Sequence, residues 1–108
     1  MAKLIPLEHP GVILKEEFLE TMGLTAYVVS KGTGISATAL GQILKGKRSI
    51  TPTTGLKLSK FFGMSEAYFV NLQTQYDLDL AKEKTKDTLG KITPFRADKS
   101  QGDKLIEA

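Results

Sequence analysis

The stretch TAYVVSKGTGISATALGQILKGKR, residues 25–48, holds two capped helices and the turn between them. Thr25 is an N-cap for a short helix running to about Thr33, which Gly34 closes. Ser36 caps a second helix reaching Lys45, and Gly46 ends it. A short helix, the tight turn Thr33-Gly34-Ile35-Ser36 and a capped helix describe a helix-turn-helix, with Ser30 small where the two helices approach. At 100° per residue, Leu40, Ile43 and Leu44 fall on one side of the second helix and belong to a core. Opposite them lie Thr38, Gln42 and Lys45, a stripe with a hydroxyl, an amide able to pair bidentately with adenine, and a cation.

Every amphipathic helix has a polar back, but ordinary ones carry Glu and Lys in pairs, and this stripe has no acid. Thr38, Gln42 and Lys45 are therefore expected to read double-stranded DNA. Ala37, Ala39 and Gly41 flank them, permitting close approach, with the two alanines able to contact thymine methyls. The charge pattern agrees. Between Glu20 and Glu66 there is no acidic residue but there are six cations, so residues 21–65 sum to +6, against −2 for 1–20, −2 for 66–87 and +1 for 88–108. Such a block suits a face held against phosphates. Lys31, Ser36, Lys47, Arg48 and Thr51 are the expected backbone contacts, Thr51 because a helix N-terminus attracts anions. Lys57 and Lys60 are expected to solvate their helix.

Outward from this element the pattern stays helical. His9-Pro10-Gly11 opens a first helix, His9 as its cap, with Leu14, Phe18 and Met22 as a core stripe and Gly23 as its stop. Thr51-Pro52 launches a fourth helix that Gly63 ends. The longest follows Ser65 and runs from about residue 66 to 84, with Phe69, Leu72, Tyr76 and Leu80 recurring along it. The expected fold is all-α, five helices with a flexible C-terminal tail. Its divisions are an N-terminal arm (1–8), a helix-turn-helix domain (9–85, motif 25–45) and a tail (86–108), flexible or partner-bound. Residues 3–7 and 91–95 look alike and could be extended, either forming a strand on a partner or on the other.

Composition narrows the chemistry. The chain has 108 residues, no cysteine, one histidine and a net charge of +3. Disulfides, thiolate metal sites and thiol nucleophiles are thereby excluded. No apolar run approaches the length of a membrane span, and no secretory signal is visible, so a soluble cytoplasmic protein is expected. Residues 41–47 have phosphate-loop spacing, but Arg48 replaces the hydroxyl that should hold magnesium. Asp77 and Asp79 fall on different helix faces. No catalytic residue, metal or cofactor is expected.

Beyond the motif, four segments carry a more specific likeness: His9-Pro10-Gly11, Ile13 through Glu20, Ile43-Leu44-Lys45-Gly46-Lys47-Arg48, and Tyr68 through Gln73 with Tyr76-Asp77-Leu78. In this order and spacing they resemble the HigA (VapI-type) antitoxins of the lambda-repressor-like group. The resemblance implies a five-helix antitoxin that binds a RelE-like ribonuclease toxin, HigB, and represses its own operon as a homodimer. A stand-alone repressor and a toxin-neutralising protein without DNA binding are the alternatives. The resemblance implies dimerisation through the last helix, at Phe69, Leu72, Tyr76 and Leu80. The polar side of helix one, Lys15, Glu16 and Glu20 with Val12 beside it, is the candidate toxin surface. Val12, Val28, Ala37, Ala39 and Phe69 depart from the family pattern, which predicts modest operator affinity. Gly32, Gly41 and Gly55, each costing about 1 kcal/mol against alanine in a helix interior, predict marginal stability.

Overall fold

In the computed structural model, which describes residues 8–95, five helices pack around one core and no strand forms among the described residues. The first, α1, begins at Pro10–Ile13 and continues without a break as a π-helical stretch, Leu14–Glu20. The others are α2 (Ala26–Thr33), α3 (Ala37–Leu44), α4 (Pro52–Phe62) and α5 (Tyr68–Gly90). The expected caps are in place. Thr25, Ser36 and Thr51 accept hydrogen bonds from the backbone N–H groups of Val28, Ala39 and Thr54 at 3.2, 3.1 and 3.3 Å. Each satisfies one of the donors that a helix start leaves without a partner.

The core is Leu14, Phe18, Leu19, Val29, Ile35, Leu40, Ile43, Ile50, Leu58 and Phe69. Met22, expected in the first helix's buried stripe, is 53% exposed. The π-helical stretch explains this. The i to i+5 bonding of that stretch widens its turns and rotates the following residues off the core face. The helix then ends in a Schellman cap at left-handed Gly23, with Leu24 N–H donating to the Leu19 carbonyl at 2.8 Å. Leu19 is buried where a uniform α-helix would have put Met22.

The helix-interior glycines also differ from expectation. A Cβ on Gly32 would overlap the ring of Phe61, and one on Gly55 would sit 2.6 Å from Cγ2 of Val70. At both, the missing methyl leaves room for the neighbouring side chain, so packing offsets part of the propensity cost. Gly41 alone of the three faces open space.

Helix α5 runs to Gly90, past the expected end at Lys84, and residues 81–90 are exposed throughout. The tail expected from residue 86 therefore begins as helix. Residues 92–95 form no strand, and the similar piece, residues 3–7, lies outside the described residues, as does the tail from 96 onward. Phe69 is fully buried beside Phe18, ring centroids 5.2 Å apart, and Leu72 packs against the same core. Phe69 is therefore corrected from a dimer contact to a core residue: the α5 stripe begins under α1 before it reaches the surface.

His9 acts as the expected cap, its Nδ1 accepting from the Gly11 N–H at 2.8 Å, with its ring edge-on to Tyr76 at 5.2 Å. Burial lowers its pKa below the ordinary 6.5, and nearby Asp77 partly opposes that. The cap needs neutral Nδ1, and the unfolded chain takes up the proton more readily. His9 therefore contributes stability that is intact above pH 6.5 and lost as pH falls below it. Thermal melts between about pH 7.5 and 5.5 should show this decline, and His9→Asn should flatten it.

Candidate nucleic-acid interface

Two hydroxyls set the angle at which α3 is presented. Ser30 Oγ donates to the Ile35 carbonyl at 2.6 Å, which explains why a small polar residue stands there. Thr33 Oγ1 donates to the Val29 carbonyl at 2.7 Å and accepts from the Ile35 N–H at 3.1 Å. With Leu40 and Ile43 buried beneath it, α3 turns Thr38, Gln42 and Lys45 outward, all three exposed. No acid lies on α2, α3 or α4, so nothing on the motif opposes a polyanion.

The loop after α3 is held at both ends. At its start Gly46 takes a left-handed conformation, φ 77°. The Gly46 N–H then donates to the Ile43 carbonyl at 2.9 Å, and the Lys47 N–H to the Gln42 carbonyl at 2.8 Å. This is the Schellman termination, which satisfies the last carbonyls and folds the chain back over the helix end. It brings Arg48 onto Gln42, with Nε donating to Oε1 at 2.9 Å. At the loop's far end the buried Ile50 N–H donates to Gln73 Oε1 on α5 at 2.8 Å, and Gln73 Nε2 donates to Asp77 at 2.9 Å.

The sequence leaves the Asn71 and Gln73 amides open between a helix-capping and an interface network, and neither includes the loop anchor that Gln73 forms. The available signal was a polar residue one helical turn from Phe69, on the face that must be buried. Replacing Gln73 by leucine should strand the Ile50 N–H and destabilise the protein by about 1–3 kcal/mol. A urea titration checks this, and an unchanged midpoint would show the loop anchored by other means.

The remaining candidates are placed as follows. Lys31, Lys47 and Arg48 are exposed, and Lys31 stands 5.7 Å over the ring of Tyr27, an exposed aromatic on α2 that the sequence reading passed over. The Ser36 and Thr51 hydroxyls are exposed while serving as caps. Lys57 and Lys60 lie apart, lining a groove with Leu56, Phe61 and Met64. On α1, Lys15, Glu16 and Glu20 are exposed, but Val12 is half-buried rather than on the open face expected of it, because the first turn of α1 lies against α3. Lys15 and Glu20 meet Lys45 along one groove of about 400 Å³ between α1 and α3. On α5, Tyr76 and Leu80 are half-buried, whereas Leu78 and Leu89, about three turns apart on one face, are half-exposed.

No helix among the described residues is long and apolar enough to cross a membrane. Residues 15–69, from mid-α1 to the start of α5, match the helix-turn-helix family. Virulence-associated protein I of Dichelobacter nodosus is 38% identical over 94 residues, covering 87% of this chain and 86% of that protein. A solved addiction-module antidote protein of the HigA family from Coxiella burnetii shares 37% identity at a TM-score of 0.76, covering 84% of this chain and 100% of that one. Pseudomonas aeruginosa antitoxin HigA, solved with the higBA promoter, superposes at a TM-score of 0.77 with 26% identity, covering 84% and 100%. With its five helices, its capped motif and relatives that match over most of its length, the chain belongs to the HigA (VapI-type) antitoxins, a family of helix-turn-helix DNA-binding regulators.

Proposed function

We propose that this chain is the antitoxin of a type II toxin–antitoxin module, acting in the cytoplasm as a homodimer that represses its own operon and neutralises a RelE-like ribonuclease toxin, HigB. The observation that carries the reading is the outward stripe of Thr38, Gln42 and Lys45 beside a basic loop pinned at both ends, on an acid-free motif. A stripe of this kind enters the major groove. Lys47 and Arg48 meet phosphates beside it, with Lys31, Ser36 and Thr51 as further backbone contacts. In a dimer two such motifs would engage half-sites about 34 Å apart, one turn of DNA.

For the dimer, the exposed face of α5 around Leu78 and Leu89, with half-buried Tyr76 and Leu80 beside it, suits a partner better than buried Phe69. For the toxin, the exposed acids Glu16 and Glu20 offer a basic ribonuclease a complementary potential. A gel-shift titration against the chain's own promoter tests repression. Affinity should fall steeply with salt, and a salt-independent shift would argue against phosphate contacts. Charge reversal, Glu16→Lys with Glu20→Lys, should abolish rescue of cells expressing the adjacent toxin gene while the promoter shift is kept or strengthened, since Glu20 shares a groove with Lys45. Unchanged rescue would move the toxin surface elsewhere. A gene with no small reading frame beside it would favour a stand-alone repressor.

A further inference from the structure

Lys47 and Arg48 are neighbours with the same charge and similar exposure, yet only Arg48 is bonded to the reading face, through Gln42 at 2.9 Å. The bond follows from the backbone. The Schellman turn at Gly46 folds the chain back over Gln42, and the Ile50–Gln73 bond fixes the loop two residues beyond Arg48. The guanidinium is thus delivered to Gln42 by two anchors that do not depend on the Arg48–Gln42 contact itself.

This has a consequence for recognition. An amide oxygen accepts two hydrogen bonds, so the Arg48 bond leaves Gln42 Oε1 one free acceptor position and Nε2 both of its donors. Those are the groups a bidentate contact to adenine requires, Nε2 toward N7 and Oε1 toward the N6 amino group. The bond also selects one of the two orientations of the amide, which an unrestrained exposed glutamine would sample equally. Four of the five guanidinium N–H donors remain for a phosphate.

We propose that Arg48 is a positioning residue for base reading: it holds the Gln42 amide in the orientation that discriminates one base pair, beyond any charge it presents to the backbone. The inference rests on the DNA-binding reading above. A purely electrostatic Arg48 would weaken binding to every duplex alike, as Lys47 should.

The test uses the full chain, its own promoter fragment and a set of duplexes with single base-pair substitutions across each half-site, followed by fluorescence anisotropy. Gln42→Ala should abolish preference at one base pair. Arg48→Ala should reduce preference at that same pair at least about fivefold, and should add nothing to the loss in the Gln42→Ala background. Lys47→Ala should weaken all duplexes by one common factor and keep the preference. If Arg48→Ala behaves like Lys47→Ala, or if no preference depends on Gln42, the positioning role is overturned while DNA binding stands. If the wild-type chain binds no promoter duplex, the DNA-binding reading falls and this inference with it.

Discussion

Among the glycines of the described residues, Gly11→Ala should be the most destabilising. A Cβ at residue 11 would overlap the backbone carbonyl of Ile43, with His9 Nδ1 3.1 Å away on the other side. A flexible side chain could swing aside, but a backbone carbonyl in the last turn of α3, held by the Gly46 N–H, has little room to move. The start of α1 would have to lift off α3, opening the buried surface of Pro10 and Gly11 and disturbing the His9 cap. Overpacking of this kind costs about 1–3 kcal/mol, and rigid backbone on the receiving side places this case at or above the top of that range. Against the roughly 5–15 kcal/mol of a typical domain, the loss is a large fraction. Urea unfolding should show a much lower midpoint at unchanged slope. A midpoint near wild type would mean that α1 does not rest on α3 at Gly11.

The second large effect is on binding. Gln42→Ala with Lys45→Ala removes the amide and the cation of the reading stripe from exposed positions, so the fold should keep its melting temperature. Loss of a bidentate base contact costs about 1–3 kcal/mol, and loss of the cation weakens binding further, so operator affinity should drop on the order of 100-fold. Lys57→Ala and Lys60→Ala, on a separate groove, should change little. An unaltered gel shift for the double variant would remove α3 as the reading element.

The fold was legible where local chemistry dictates it. Thr25, Ser36 and Thr51 cap helices because a hydroxyl before a helix start has one obvious use, and the period of Leu40, Ile43 and Leu44 determines the outward face of α3. Other features escaped for physical reasons. The π-helical stretch that displaces Met22 depends on how α1 packs, which periodicity at 100° per residue cannot encode. The role of Gln73 depends on a loop 23 residues earlier in the chain, a distance no local pattern spans. The same limit explains Phe69. Its spacing marks an apolar stripe, but only packing against Phe18 and Phe62 shows that the first part of the stripe is consumed inside the chain's own core. Gly32 and Gly55 likewise looked like weak points until Phe61 and Val70 were seen to occupy the space a Cβ would take.

Amide chemical-shift mapping of the full chain during titration with its own promoter duplex most directly tests whether the exposed face of α3 meets DNA. The amides of residues 37–49, including those of Gln42, Lys45 and Arg48, should shift strongly and in proportion to occupancy, while an unrelated duplex at the same salt gives smaller shifts. Promoter binding that leaves residues 37–49 unperturbed and moves α1 or α5 instead would contradict it.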